Sequence, residues 1–319
     1  MGIAGRGRHI GGLKIRGLDR RRLWRNIGGI RDFLRALVTA RDIIRDFQPQ
    51  IVIGVGGYAS APTLKAAQSL GIPTLIQEQN SYAGVTNKFL ARRATRICVA
   101  YPDMERFFPK DKIILTGNPI RPMIEHLTAT REEALAYFSL PPETQRVVLV
   151  VGGSLGARTI NEAIGSRLKE WEASGVALIW QTGEAFESQA QQLCQGRDFP
   201  HWVSAFIQRM DLAYTLADVV VSRAGASAIS ELCQLGKPTI LVPSPNVAED
   251  HQTKNALALS LRGAAILVPD QEAQRDLTPR ALELVADEPA RRSLSEEILK
   301  LALPAAADRI VDEIERLVP

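Results

Sequence analysis

From Pro49 onward, short β-branched runs alternate with helical stretches, and this alternation leaves few folds open. The runs predicted as strands are 51–55, 73–77, 96–100, 112–116, 146–151, 176–181, 219–222, 239–242 and 265–268. Their centres are apolar, with polar residues mainly at their ends and little polar alternation. A strand of that kind is buried on both faces, as in a parallel sheet covered by helices. The expectation is doubly wound α/β architecture.

The series breaks once. Gly117-Asn118-Pro119-Ile120-Arg121-Pro122 closes one set, and Leu140-Pro141-Pro142-Glu143 precedes the next. At 319 residues the chain is long for one average domain, so two are expected. The predicted layout is an N-terminal domain 1–125, a linker 126–145, a C-terminal domain 146–288, and helices over 289–319 that pack back toward the first domain. A doubly wound domain usually opens on a strand and a glycine turn. Residues 1–9 form no apolar strand, so the N-terminal domain is expected to lack its first βα unit.

Charge is unevenly spread. Residues 1–50 carry twelve Arg or Lys against four Asp, a balance of +8, while the whole chain is +4. A basic segment on a mildly acidic body points to an anionic partner, membrane lipid or nucleic acid. Leu23, Trp24, Ile27, Ile30, Leu34, Leu37 and Val38 recur at helical spacing, rimmed by Arg20, Arg21, Arg22, Arg25, Arg31, Arg35 and Arg41. That stripe reads either as a core face or as an interfacial membrane helix. Nucleic acid ranks last, because aromatics are only 6% of the chain and no binding motif is present. No run of 18 apolar residues predicts a transmembrane helix. Three scattered cysteines (Cys98, Cys194, Cys233) fit a reducing cytoplasm.

Three glycine turns follow strands: Gly54–Pro62, Gly152–Arg158 and Ser222–Glu231. Such turns let a ligand approach the backbone and aim a helix N-terminus at an anion. None fits the dinucleotide fingerprint, and no GxxxxGK[ST] occurs. Asp-x-Asp and paired-histidine metal spacings are also absent, so no metal or other cofactor is expected. Glu231 has two readings: an exposed helix carboxylate, or a bidentate acceptor for a ribose diol. His251 and Gln252 follow the strand 239–242 and could face the same sheet edge or simply begin a helix.

Taken in order, six motifs resemble the MurG family of UDP-N-acetylglucosamine transferases. They are Gly56-Gly57-Tyr58; Glu78-Gln79-Asn80 with Ala83-Gly84-x-Thr86-Asn87-Lys88; Gly117-Asn118-Pro119-Ile120-Arg121; Gly152-Gly153-Ser154-x-Gly156-Ala157-Arg158; Ser222-Arg223-x-Gly225-Ala226 leading to Glu231; and Gln252-x-x-Asn255-Ala256. The resemblance implies a GT-B fold of two Rossmann-like domains, an acceptor- and membrane-facing first domain and a UDP-sugar donor domain. It implies inverting transfer of N-acetylglucosamine from UDP-GlcNAc to undecaprenyl-diphospho-N-acetylmuramoyl-pentapeptide, on the cytoplasmic face of the bacterial plasma membrane.

By the same resemblance Glu231 holds the ribose diol, and Ala226, Ser227, Ala228, Ile229 and Ser230 line the diphosphate and ribose. Ser154 binds phosphate, Ile207 meets uracil through its backbone and Gln252 touches the sugar. Asn80 and Arg121 reach the donor from the N-domain side, while Trp24, Ile27, Ile30, Leu34 and Leu37 face an anionic membrane. The family's opening strand and GGTGGH-type loop, with the His proposed as base, have no counterpart in this sequence. The expectation is therefore a misassigned or truncated start, with a short paralogue lacking full activity as the alternative, and no catalytic residue is assigned. The alternatives are a GT-B diacylglycerol glycosyltransferase and a UDP-sugar-binding membrane protein without turnover.

Overall fold

The computed structural model describes residues 26–153 and 155–318. They form two compact units. The first takes in the chain as far as Glu78, then Ala83–Leu115 and the stretch from Asp308; the second takes in Gln79–Tyr82 and Thr116–Ala307.

The first unit runs α1 (Asn26–Phe47), β1 (Val52–Gly54), α2 (Ser60–Ser69), β2 (Thr74–Glu78), α3 (Val85–Ala91), β3 (Arg96–Val99) and β4 (Ile113–Leu115). Its four strands pair in the order β1-β2-β3-β4, all parallel, with Val52 opposite Thr74 and Leu75 opposite Arg96. The pleat sends successive side chains to opposite faces. Ile76 and Ile97 therefore pack with Leu64, Leu90 and Met104, while Leu75 and Cys98 meet Ile310 and Ile314 of the chain's last helix, Ala306–Leu317. Arg96 adds an ion pair to Glu313 of that helix at 3.7 Å.

Helix α1 divides its apolar stripe. Ala40 and Ile44 are buried against Ala66 and Ala67 of α2, and Leu37 packs beside them. Leu34 and Val38 lie on the outer side, 55% and 61% exposed. Leu37, expected to face a membrane, is thus part of the core face, because Ala40 lies one helical turn and Ile44 two turns beyond it on the same side. Trp24 and the side chains of Ile27 and Ile30 lie outside the described residues. No helix among the described residues is long and apolar enough to cross a membrane.

The second unit continues with α4 (Pro122–Glu125), α5 (Arg131–Tyr137), β5 (Val147–Val151), α6 (Arg158–Gly165), α7 (Leu168–Ser174), β6 (Ala177–Gln181), α8 (Glu184–Cys194), β7 (His201–Ser204) and α9 (Met210–Leu216). It closes with β8 (Val219–Ser222), α10 (Ala226–Leu235), β9 (Thr239–Leu241), α11 (His251–Ser260), β10 (Ile266–Leu267), α12 (Ala273–Ala286) and α13 (Glu288–Leu299). Six parallel strands stand in the order β10-β9-β8-β5-β6-β7. Val148, Val150, Leu178 and Trp180 pack against Ile160 and Ile164 of α6 and Leu277 and Ala281 of α12. The indole N–H of buried Trp180 donates to Asn161 at 3.0 Å, so the core holds no stranded donor there.

Strand β7 was not among the predicted runs. Its His201-Trp202-Val203-Ser204 is an edge strand, half-buried along its length, and carries no continuous apolar signal. The stretch 126–145, read as a linker, is instead folded into the second unit. Thr130 caps α5 by accepting from the Glu133 N–H at 3.2 Å, and buried Phe138 meets Trp202 edge-on with ring centroids 5.0 Å apart. Within 289–319, α13 also stays with the second unit, where the Ser295 hydroxyl donates to the Gly236 carbonyl at 2.6 Å.

Candidate functional site

In the second sheet β5 stands between β6 and β8, so successive strands build outward from it in opposite directions. The crevice beyond the carboxyl ends of the strands at such a switch point is where doubly wound folds hold ligands. Both strands flanking that crevice end in glycine turns, and each turn opens a helix. β5 leads through Gly152–Ala157 into α6, and β8 leads through Arg223–Gly225 into α10. Two helix N-termini converging on one crevice suit a diphosphate.

The turns are held by close backbone packing. Gly156 has φ +75°, and a Cβ there would stand 2.2 Å from the Thr182 carbonyl oxygen. Gln181, at the end of β6, accepts from the Gly153 N–H at 3.1 Å and donates to the Gly153 and Ala205 carbonyls at 2.9 and 2.7 Å. The β8 turn is fastened by Arg223, which donates to the Val242 carbonyl at 3.0 Å and to Asp270. Asp270 also accepts from Thr159 of α6 at 3.1 Å, so one carboxylate ties the β8 turn to the start of α6.

A cavity of about 710 Å³ opens on this crevice. Its walls include Val151, Gly153 and Ser222 at the strand ends, Ser227, Ala228 and Glu231 on α10, and Pro119–Arg121 leading into Pro122 at the start of α4. Ile207 and Met210 close it from the β7–α9 side. At one wall sits a polar cluster. Arg121 Nε donates to Glu231 Oε1 at 3.0 Å and its terminal nitrogen to Oε2 at 3.2 Å, a two-pronged pair. The Tyr214 hydroxyl donates to Glu231 Oε2 at 3.0 Å. Glu231 is only 7% exposed, so of its two readings the exposed helix carboxylate is excluded. Burial, and then the negative charge of Glu231, raise the Tyr214 phenol well above its ordinary range.

The residues expected at the site divide as follows. Arg121, Ile207, Ser227, Ala228 and Glu231 meet at the cavity. Ile229 is buried, and the Ser230 hydroxyl is engaged with Asn118 at 3.0 Å and the Ala226 carbonyl at 3.0 Å. Gln252 accepts from the Ser244 N–H at 2.8 Å, and Asn80 accepts from Asn255 at 3.1 Å; neither is among the residues lining the cavity. Ser154 lies outside the described residues. Arg121 and Asn80, expected from the N-domain side, both belong to the second unit. The reason is side-chain bonding. Arg121 binds Glu231, and Asn118 bridges Ser230 and the Gln79 carbonyl. In the first unit Glu78 has a local task, accepting from the Gly84 N–H at 3.0 Å and from Asn87 at 2.8 Å, which shapes the entry to α3.

Tyr214 and Gln181 were not picked out from the sequence. Tyr214 is hidden among the apolar residues Met210, Leu212, Ala213 and Leu216, a stretch that reads as core. Gln181 carried a usable signal, a lone amide closing the otherwise apolar strand Ala177–Gln181.

Two parallel α/β units, the second with a crevice shaped for a nucleoside diphosphate at its switch point, define a GT-B-type protein. Residues 147–310 match the glycosyltransferase family 28 C-terminal domain, and residues 4–99 match the family's N-terminal domain. The chain is 59% identical over 313 residues to the UDP-N-acetylglucosamine–N-acetylmuramyl-(pentapeptide) pyrophosphoryl-undecaprenol N-acetylglucosamine transferase of Porphyromonas gingivalis strain W83, covering 98% of this chain and 83% of that one. The transferase of the same description from Bacteroides fragilis strain YCH46 is 52% identical over 314 residues, covering 98% and 82%. Among solved structures, Acinetobacter baumannii MurG superposes with a TM-score of 0.71 at 29% identity, over 90% of this chain and 79% of that one. A UDP-N-acetylglucosamine 2-epimerase shares the fold alone, with a TM-score of 0.61 at 14% identity over 89% and 76%. The chain belongs to glycosyltransferase family 28, in its MurG branch.

Proposed function

We propose that the chain transfers N-acetylglucosamine from UDP-GlcNAc to undecaprenyl-diphospho-N-acetylmuramoyl-pentapeptide, completing the lipid-linked peptidoglycan precursor. The observation that carries the reading is Glu231, a buried carboxylate facing a cavity between two helix N-termini, in a chain this close to transferases of that description. The acceptor's 4-hydroxyl oxygen bonds to C1 of the sugar as the bond from C1 to the diphosphate oxygen breaks. The hydroxyl proton is released, and UDP leaves with the electron pair. Negative charge grows on the departing diphosphate, and the amide N–H groups opening α6 and α10 are placed to stabilise it.

In this reading Glu231 accepts from the ribose hydroxyls, Ile207 meets uracil, and Ser154, Ser227 and Ala228 line the diphosphate. Arg121 supplies a cation beside them. Asn80 and Gln252 reach the sugar. Enzyme action takes place at the cytoplasmic face of the plasma membrane, where the exposed Leu34 and Val38 of α1 lie among arginines that favour anionic lipid.

Radiolabelled UDP-GlcNAc incubated with the lipid-linked acceptor tests the activity. Labelled disaccharide-lipid is the expected product. Parallel incubations supply UDP-galactose or UDP-glucose with diacylglycerol; hexosyl transfer there in place of transfer from UDP-GlcNAc would overturn the reading, as would UDP binding with no transfer to either lipid.

A further inference from the structure

Glu231 is gripped by two donors of different character. The Arg121 side chain is 45% exposed and approaches from the turn ahead of the four-residue α4. A ligand can displace it, or share the carboxylate with it. Tyr214 is 3% exposed and rises from α9, where its neighbours Leu212, Ala213 and Leu216 are all buried. Its buried hydroxyl donates to Oε2 of Glu231, 3.0 Å away.

A carboxylate has two oxygens and about four acceptor positions. Unanchored, it turns about its terminal torsion, which is broad and roughly two-fold. Two adjacent ribose hydroxyls are recognised well only when both oxygens are held at a fixed angle to the cavity. Tyr214 supplies that constraint from the buried side and leaves the cavity side open. The phenol is kept in its protonated, donating form by burial and by the adjacent negative charge.

We propose that Tyr214 is a positioning residue for donor recognition: its hydroxyl anchors Glu231 so that the carboxylate selects ribonucleotides over 2′-deoxyribonucleotides. The inference rests on the reading of Glu231 as the ribose acceptor. Tyr214→Phe keeps the ring and removes only the anchor.

The test is calorimetric titration of the full chain with UDP and with 2′-deoxy-UDP, for the wild type, Tyr214→Phe and Glu231→Gln. UDP binding to Tyr214→Phe should weaken about tenfold, the scale of one hydrogen bond to a charged group. Binding of 2′-deoxy-UDP should change less than about twofold, so the preference for ribose collapses. In turnover, KM for UDP-GlcNAc should rise about tenfold with kcat within about twofold, since the anchor acts on binding. Equal weakening of both nucleotides would show a merely structural role and overturn the proposal. An unchanged ribose preference in Tyr214→Phe, with the preference lost in Glu231→Gln, would overturn it while leaving the Glu231 reading intact. A preference retained in Glu231→Gln would overturn both.

Discussion

The side-chain amide of Asn255 donates to Oδ1 of Asn80 at 3.1 Å, while its own oxygen accepts from the N–H and hydroxyl of Ser81 at 2.9 and 3.1 Å. A further bond reaches the Ala224 carbonyl at 3.3 Å, and Asn255 is fully buried. One amide thus fastens Gln79–Tyr82 to the turn that follows β8. Asn255→Asp keeps the acceptor and replaces the donor with a carboxylate oxygen aimed at two other acceptors. Its carboxyl pKa should therefore rise in the folded state. A raised pKa places the stability below the unfolded value and removes it as pH climbs. Urea denaturation should find Asn255→Asp close to wild type near pH 4 and about 3 kcal/mol weaker at neutral pH. A deficit that does not vary with pH would contradict this account of the bond.

What could be read from the sequence follows from how local the signal is. Val147–Val151 and Val219–Ser222 are continuous apolar runs, and each was legible as a buried strand. Strand β7 was not, because an edge strand needs no apolar run. The start of α10 was legible because a glycine and small residues precede a helix. The pairing of Arg121 with Glu231 was not, because 110 residues separate the partners and nothing local marks which unit Arg121 joins. Tyr214 was masked by its apolar neighbours. In α1 the apolar stripe was visible, but only packing against Ala66 and Ala67 shows that Leu37 turns inward and Leu34 outward.

Gly156 and Gly225 separate a folding glycine from a binding one. At Gly156 both the positive φ and the Thr182 carbonyl 2.2 Å from an added Cβ oppose any side chain. At Gly225 φ is −71°, and a Cβ would meet nothing within 4 Å. Gly156→Ala should lower the melting temperature by about 6–12 °C, from roughly 3 kcal/mol of clash and backbone strain. Gly225→Ala should leave melting unchanged but place a methyl group where the diphosphate approaches, weakening UDP binding about tenfold or more. Calorimetry and thermal melting on both variants check the contrast. Wild-type UDP affinity in Gly225→Ala would remove the β8 turn from the binding site.

Arg121 offers a test of charge. Its guanidinium is half exposed but its partner Glu231 is buried, so Arg121→Ala should lower stability measurably, with Tyr214 left as the remaining donor to the carboxylate. It is also the cation beside the bound diphosphate in the proposed reading. Removing it should weaken UDP binding about tenfold at low salt and by less at high salt, because screening already reduces its contribution there. Titrations at two ionic strengths measure the difference. A loss of affinity independent of salt would mean that Arg121 acts only by shaping Glu231.

Asp211 offers a test of acid sensitivity within the second unit. It sits in the first turn of α9 and accepts from Arg209 Nε at 3.0 Å and from a terminal guanidinium nitrogen at 2.7 Å. The Arg209 hydrogen bond is the chief cause holding its carboxyl below the ordinary aspartate range, against a smaller opposing effect of burial. A depressed folded pKa contributes stability that is complete above the unfolded value, about 3.9, and is lost as pH falls through the folded value. Asp211→Asn should therefore melt about 2–4 °C lower than wild type at neutral pH, a modest effect because Arg209 is partly screened by solvent. The gap should close as the pH drops below about 4, where the wild type loses the same interaction by protonation. Thermal melts across that range decide it. A gap that stays constant down to pH 3 would assign the effect to packing at the start of α9 and leave the ion pair without a part in acid stability.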